Sequence, residues 1–272
     1  MRKWNLIDKH YKLYIIFISL FLIILSFIFG FYLGKKNPIK IIKRDDYFFI
    51  KEFSNFISYS QCLEDLILFS IFYDVNNGFY IDIGANDPNE ISVTKNLYKR
   101  GWYGINIEPL PDKYKALVKF RKRDINLQIG AGRKKENRTF YLSGKGSTLQ
   151  KKKNLASIKI EVDTMLSICK KYAPKNEIIQ FCKIDVEGGE KDVLLGYDFE
   201  NYRPKVFCIE STLPSTNIPC HDLWENILLK NDYSFVYQYK INRYYIDNRI
   251  KGLRERFFLA EKSVEIYKKI KH

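Results

Sequence analysis

The sequence has few of the residues that build a disulfide framework or a zinc site. Among 272 residues there are five cysteines, an odd number, and no two of them form a Cys-x-x-Cys pair. Of the three histidines, only His221 lies far from both ends of the chain. Disulfide-rich secreted domains and structural zinc modules use denser or paired cysteines. The pattern therefore favours reduced thiols in a domain that faces the cytosol.

The sequence also lacks the Gly-x-Gly-x-x-Gly turn of dinucleotide-binding proteins. An apolar strand predicted over residues 79–83 is followed by a turn, residues 84–89, in which Gly84 is the only glycine. Dinucleotide-binding turns need the further glycines for close approach of the backbone to a pyrophosphate. This argues against an NAD-dependent oxidoreductase. A strand, this turn and the helical spacing of residues 90–98 still predict the first unit of a doubly wound sheet.

The positive charge does not form a nucleic-acid recognition pattern. The net charge is +15, of which residues 1–44 carry +8, with nine Lys or Arg and one Asp. The other basic residues are scattered and are not interleaved with aromatic residues as in a nucleic-acid interface. We therefore expect no nucleic-acid partner, and we assign the terminal charge to a membrane surface.

One segment near the start of the chain has no charge at all. Residues 13–34 are uncharged, and as a helix they would be roughly 33 Å long, enough to cross a bilayer. No small-residue cleavage site follows, which argues against a signal peptide. We predict a basic tail over 1–12, a transmembrane helix over 13–34 and a basic stalk over 35–57. Four Lys or Arg before the span and five after it leave its orientation open, although a cytoplasmic catalytic domain is expected.

The remaining chain alternates apolar strands with helices, which predicts an α/β domain over 58–250 and a basic helical tail over 251–272. The tail could contact a membrane or be exposed. A helix over 163–172 is predicted to begin at an N-cap Asp163. Further strands are predicted over 102–107, 125–130, 178–184 and 205–209, with an insertion at 133–160 that carries two strands and a closing hairpin of 233–238 with 243–247.

Two further positions indicate a nucleoside site. Asp82 is a charge within a buried strand, where a charge without a partner is costly. Glu108 follows the second strand, 24 residues after Gly84, which is the position of the acid that binds ribose hydroxyls. Gln61, with Glu64 and Asp65, either lies at the rim of the cofactor pocket or belongs to an amphipathic cap helix.

The predicted catalytic residues follow two buried strands. Asp185 and Glu187 come after the strand over 178–184, and Glu210 comes after the strand over 205–209. At one edge of the sheet, Asp185 and Glu210 could hold a divalent cation such as Mg²⁺, or hold a substrate hydroxyl and help to deprotonate it. Alternatively, they bind cofactor or cap a helix. His221 is a candidate general base, or else a surface residue at the start of a helix.

Together these motifs resemble the FkbM-type S-adenosylmethionine-dependent methyltransferases. The resemblance covers about residues 58–248 and depends on residues 60–65, 80–86, 107–109, 160–164, 183–190 and 224–225. It implies a Rossmann-like class I methyltransferase sheet of seven strands with an antiparallel final strand. It also implies that Asp82, Gly84 and Asn86 contact the methionine and ribose parts of S-adenosylmethionine, that Glu108 binds the ribose, and that the block at Asp185 lies beside the methyl-transfer site.

Members of this family typically methylate hydroxyl groups, often on sugars or natural products. We therefore expect a single-pass membrane protein that O-methylates a sugar, glycan or glycolipid. The competing hypothesis is a non-catalytic cofactor-binding or membrane scaffold protein. The chain departs from the family pattern at Cys62 and Leu63, where a small or glycine-containing turn is common.

Overall fold

The computed structural model describes residues 55–142, 155–175 and 177–271. The predicted basic tail over 1–12, the predicted transmembrane helix over 13–34 and most of the predicted stalk lie outside the described residues. Within the described ranges, no helix has both the length and the apolar character to span a bilayer.

Strands and helices alternate through most of the described chain. In chain order the elements are α1 (Glu64–Ile71), β1 (Phe79–Ile83), α2 (Lys95–Lys99), β2 (Tyr103–Ile107), α3 (Pro111–Phe120), β3 (Ile125–Leu127), β4 (Gly130–Gly132), β5 (Glu136–Tyr141), β6 (Ser157–Thr164), α4 (Met165–Tyr172), β7 (Ile179–Ile184), α5 (Glu190–Leu195), β8 (Val206–Glu210), α6 (Glu225–Leu229), β9 (Tyr233–Tyr239), β10 (Asn242–Asp247) and α7 (Leu253–Lys271).

Seven of the strands form one sheet in the order β3-β2-β1-β7-β8-β10-β9. The pairs from β3 to β8 are parallel, while β10 is antiparallel to both β8 and β9. This mixed α/β sheet confirms the predicted doubly wound class and fits a Rossmann-like methyltransferase. The strand order reverses between β1 and β7, where sheets of this kind bind their ligands.

Both faces of β1 are buried. Phe79, Ile81 and Ile83 belong to a core that also contains residues of α4 and α5. On the opposite face, the ring of Tyr80 stacks on Phe181, with 5.7 Å between centroids. This explains why β1 and β7 are almost continuously apolar, since a parallel strand in the middle of a sheet meets packing partners on each side.

The third strand predicted over 125–130 is wrong in its extent. β3 leaves the main sheet after Leu127, and β4 begins a separate three-stranded sheet of order β4-β6-β5. Added Cβ atoms at Gly130 and Gly132 would lie 3.1 Å and 2.8 Å from side chains of β6, so these glycines allow β6 to approach closely. The two strands predicted within the insertion are present as the antiparallel pair of β5 with β6.

Two helix starts also differ from prediction. The helix predicted over 90–98 is confined to α2, because the Asp87 carboxylate accepts bonds from the backbone N–H of Asn89 and Glu90 and holds a turn there. The predicted N-cap Asp163 is one residue too early. The hydroxyl of Thr164 caps α4 instead, by accepting a hydrogen bond from the Ser167 N–H at 3.1 Å.

The helix at the end of the chain is packed against the domain. α7 buries Leu253, Phe257 and Val264 and lies against α1. Arg256 donates to the backbone carbonyl of Ile71, at the end of α1, over 2.9 Å. Residues 251–271 therefore belong to the same compact unit as the sheet.

Candidate active site

A cavity lies where the strand order of the main sheet reverses. Its walls come from the turn after β1, the segment after β2, the small β4-β6-β5 sheet and the loop after β7. These segments lie beyond the carboxyl ends of parallel strands, the usual ligand position in such sheets. Gln61, Gly84, Asn86, Glu108 and Asp185, all predicted to be cofactor-binding residues, line this cavity.

The turn after β1 requires glycine at position 84. Gly84 has φ +79°, and a Cβ atom there would lie 1.9 Å from the backbone carbonyl oxygen of Asp185. No side chain fits that space, so the turn and the loop after β7 are in direct backbone contact. The N–H groups of Gly84 and Ala85 both donate to the carbonyl of Ile107, which ties the turn to β2.

Glu108 is a buried acid whose two oxygens both face backbone donors. Its Oε2 accepts from the Asn86 N–H at 2.8 Å, and its Oε1 accepts from the Leu110 N–H at 2.9 Å. Burial raises the pKa of this carboxyl group, and the two hydrogen bonds oppose that rise. Each carboxylate oxygen has further lone pairs, so Glu108 can still accept bonds from hydroxyl groups in the cavity.

Asp82 has a different environment from the one predicted. Its side chain is 2 % exposed, and it is not among the described residues that line the cavity. One oxygen accepts from the Thr94 hydroxyl at 3.3 Å, and the other lies 3.6 Å from the ammonium group of Lys183. The carboxylate is directed at Lys183 inside the sheet, and the cofactor contact of Asp82 stays a prediction.

Three carboxylates meet at the ends of β7 and β8. One oxygen from each of Asp185, Glu187 and Glu210 lies within 4.8 Å of the other two. Burial and the charges of Asp185 and Glu187 raise the pKa of Glu210 well above its usual range. Among the described residues, no hydrogen-bond donor reaches Oε2 of Glu210, although this atom is buried. The cluster can therefore hold a proton or a cation.

Glu190, the first residue of α5, organises the loop that carries these acids. Its carboxylate accepts from the backbone N–H of Val186 at 3.2 Å and of Gly188 at 3.1 Å. Burial raises the pKa of Glu190 to about 7. Glu187 has φ +55° and Gly188 has φ +96°, so the loop reverses direction sharply between the strand and the helix.

The acids next to Gln61 are structural. The Asp65 carboxylate accepts from the hydroxyl groups of Ser58 and Ser60 and from the Tyr59 N–H. Glu64 accepts from the Asn242 amide at 2.6 Å and from the Cys62 N–H at 2.7 Å. Both acids are buried, and they hold the loop that places Gln61 in the cavity wall.

This loop also accounts for the departure from the family pattern. Leu63 has φ +58°, a left-handed conformation that favours glycine. The chain thus keeps the backbone geometry of a glycine-containing turn while carrying a leucine there.

The structure does not bring His221 to the cavity. It lies in a short 3₁₀ helix, with Nε2 at 3.4 Å from the exposed carboxylate of Asp222. It is not among the described residues that line the cavity. The part of His221 as a general base therefore stays a prediction without support from the cavity.

Sequence reasoning missed two features of the site. Lys183 lines the cavity from within β7, and the available signal was a lysine inside an otherwise apolar strand. The apolar side of the cavity is formed by Leu110, Phe140 and Ile160. Because Phe140 and Ile160 belong to the small sheet, only the pairing of β5 with β6 shows that they face the site.

The geometry agrees with the result of a family comparison. A family model described as the methyltransferase FkbM domain matches residues 82–235, more than half of the chain. The match begins in β1 and includes the glycine turn, Glu108 and the three clustered acids. Searches of curated proteins and of solved structures gave no match.

Proposed function

The chain belongs to the FkbM methyltransferase family, and we propose that it transfers the methyl group of S-adenosylmethionine to a hydroxyl group. The observation that carries this proposal is the position of the cavity between two kinds of group. Gly84, Asn86 and Glu108 offer a nucleoside site on one side, and Asp185 with Glu187 offers carboxylates on the other.

Several residues fit S-adenosylmethionine. Glu108 has lone pairs left for two ribose hydroxyls, as its two backbone donors occupy one direction on each oxygen. Phe140, Ile160 and Leu110 offer an apolar surface for an adenine ring. The turn at Gly84 lets a ligand approach the backbone closely. When bound, the cofactor supplies the methyl group on a positively charged sulfur.

The acids fit the other requirement of the reaction, which is removal of the proton from the acceptor oxygen. Placing the oxygen in line with the methyl carbon supplies most of the acceleration, and a carboxylate can accept the hydroxyl proton as the new C–O bond forms. Burial and the neighbouring acids raise the pKa of Glu210, whereas Asp185 and Glu187 line the cavity itself. The structure therefore favours Asp185 or Glu187 as the group that orients the hydroxyl.

We also propose that a divalent cation such as Mg²⁺ binds Asp185 and Glu210. The support is the convergence of these acids with Glu187 within 4.8 Å and the buried oxygen of Glu210, which is oxygen chemistry suited to a hard cation. A titration with Mg²⁺ or Mn²⁺ would test this. Stabilisation against heat in the intact chain, lost in Glu210→Gln, would support the proposal, and no binding in either chain would refute it.

We propose a sugar, glycan or glycolipid as acceptor and a membrane location through residues 13–34. The first idea rests on what the family resemblance implies. The second rests on the uncharged segment and its basic flanks. Labelled S-adenosylmethionine supplied to a lysate with and without the protein would identify the acceptor. Label that enters only proteins or small amines would contradict sugar O-methylation.

The cofactor assignment is tested by calorimetry with the full chain. Glu108→Gln should weaken S-adenosylmethionine binding by about tenfold, which is about 1.4 kcal/mol, because one charged acceptor for the ribose is lost. Glu161→Gln is the matched control, since Glu161 is half-exposed on β6. If the unchanged chain does not bind the cofactor, methyl transfer is refuted. If it binds the cofactor but labels nothing, a non-catalytic cofactor-binding role is favoured.

A further inference from the structure

A buried ammonium group joins the two sides of the cavity. The Nζ atom of Lys183 lies 3.0 Å from the carbonyl oxygen of Gly84, 3.3 Å from Asp185 Oδ2 and 3.6 Å from Asp82 Oδ1. Gly84 belongs to the turn after β1, which we call the cofactor turn. Asp185 belongs to the group of Asp185, Glu187 and Glu210, which we call the acid cluster. The ammonium group donates a hydrogen bond to the Gly84 carbonyl and forms ion pairs with the two carboxylates.

This ammonium group is held between two carboxylates, those of Asp185 and Asp82. Among the described residues that line the cavity, Lys183 is the only cation. It thus lies next to the glycine turn, where a methyltransferase must accept a ligand that is itself positively charged.

A fixed cation beside a cationic cofactor is unfavourable unless it is compensated, because like charges repel strongly where water is excluded. Asp82 is placed to compensate it. Its carboxylate is 2 % exposed, is paired with Lys183 in the adjacent strand and does not line the cavity. This geometry gives the acid within β1 a function that requires no direct contact with the cofactor.

We propose that Lys183 is a positioning residue that ties the cofactor turn to the acid cluster, and that Asp82 is the counter-charge that lets the site accept a sulfonium ion. This rests on the proposed function. The Asp82–Lys183 pair then determines how strongly the site prefers the cationic methyl donor over the product, S-adenosylhomocysteine, which has the same skeleton but a neutral sulfur. Asp82 is a specificity-determining residue that touches neither ligand.

The test compares the Kd of both ligands by calorimetry on the full chain. Asp82→Asn keeps the size of the side chain and leaves the charge of Lys183 less compensated. We expect the Kd of S-adenosylmethionine to rise at least tenfold and that of S-adenosylhomocysteine to change less than twofold. In Asp82→Asn with Lys183→Met both charges are removed. The ratio of the two Kd values should then return to within twofold of the original, while both ligands bind more weakly because the turn has lost its tether.

Asp124→Asn is the control for a purely structural effect. Asp124 is also a buried acid, but it accepts hydrogen bonds from Tyr80, Gly104 and Asn106 and none from Lys183. It should lower thermal stability without changing the ratio. If folded Asp82→Asn keeps the original ratio, the proposal is overturned. If the unchanged chain binds neither ligand, the proposed function fails first, which is a different result.

Discussion

The turn at Gly84 contacts the loop after β7, here called the acid loop, through the backbone of Asp185. One added methyl group at position 84 should therefore lower the stability of the protein strongly. In Gly84→Ala the new Cβ would lie 1.9 Å from the Asp185 carbonyl oxygen, whereas ordinary contacts begin at 3.4 Å. The left-handed backbone at φ +79° costs an alanine about 1–2 kcal/mol. Forcing the two segments apart adds about 1–3 kcal/mol. We expect the free energy of unfolding to fall by about 2–5 kcal/mol, measured by denaturant titration.

The chain contains a matched control for this change. Gly252 has nearly the same backbone, φ +81°, but an added Cβ would meet nothing within 4 Å. Gly252→Ala should therefore cost only the backbone part, about 1–2 kcal/mol. The difference between the two variants isolates the steric contact. Equal losses in Gly84→Ala and Gly252→Ala would show that the turn and the acid loop are not in contact.

Three further changes test other parts of the structure. Burial raises the pKa of Glu190 to about 7 in the folded protein, so the folded state holds the proton more tightly than the unfolded state. As pH rises from 4.5 to 7, the free energy of unfolding should therefore fall, by on the order of 3 kcal/mol relative to Glu190→Gln. Parallel pH curves for the two proteins would refute this. Phe257→Ala should cost about 3–5 kcal/mol, whereas Phe258→Ala, at a 75 % exposed position, should cost less than about 0.5 kcal/mol; similar unfolding midpoints would argue against the docking of α7. Arg203→Met should lower the stability by about 3–5 kcal/mol, because it removes the ion-pair partner of the buried Asp247 carboxylate. Arg249→Met removes an exposed ion pair with Asp232 and should cost less than about 1 kcal/mol. Thermal denaturation of both variants distinguishes the two outcomes.

The main sheet could be predicted because its strands are marked by local pattern. β1, β7 and β8 are short apolar runs buried on both faces, and each ends at a glycine or an acid. The division of residues 125–130 between two sheets could not be predicted in this way. Gly130 and Gly132 permit the close approach of β6, but their partners lie some 30 residues further along the chain.

The site was predictable where a residue type has one main use and uncertain where it has several. Glu108 could be placed from its distance to Gly84, because the strand and turn between them have fixed lengths. Asp82 could be identified as unusual, but the sequence does not show which neighbour its carboxylate faces. That depends on the register of β1 with β7, which places Lys183 opposite Asp82.

The packing of α7 on α1 has a consequence for the order in which the protein is made. Arg256 donates to the carbonyl of Ile71 across 185 positions of sequence. At about 5–20 residues per second, the ribosome needs roughly 10 to 40 s to synthesise that interval. During this time α1, which buries Leu66, Ile67 and Leu68 in the finished protein, has no covering helix. The nascent chain therefore exposes α1 until α7 emerges, and deletion of α7 should cause aggregation of newly made protein.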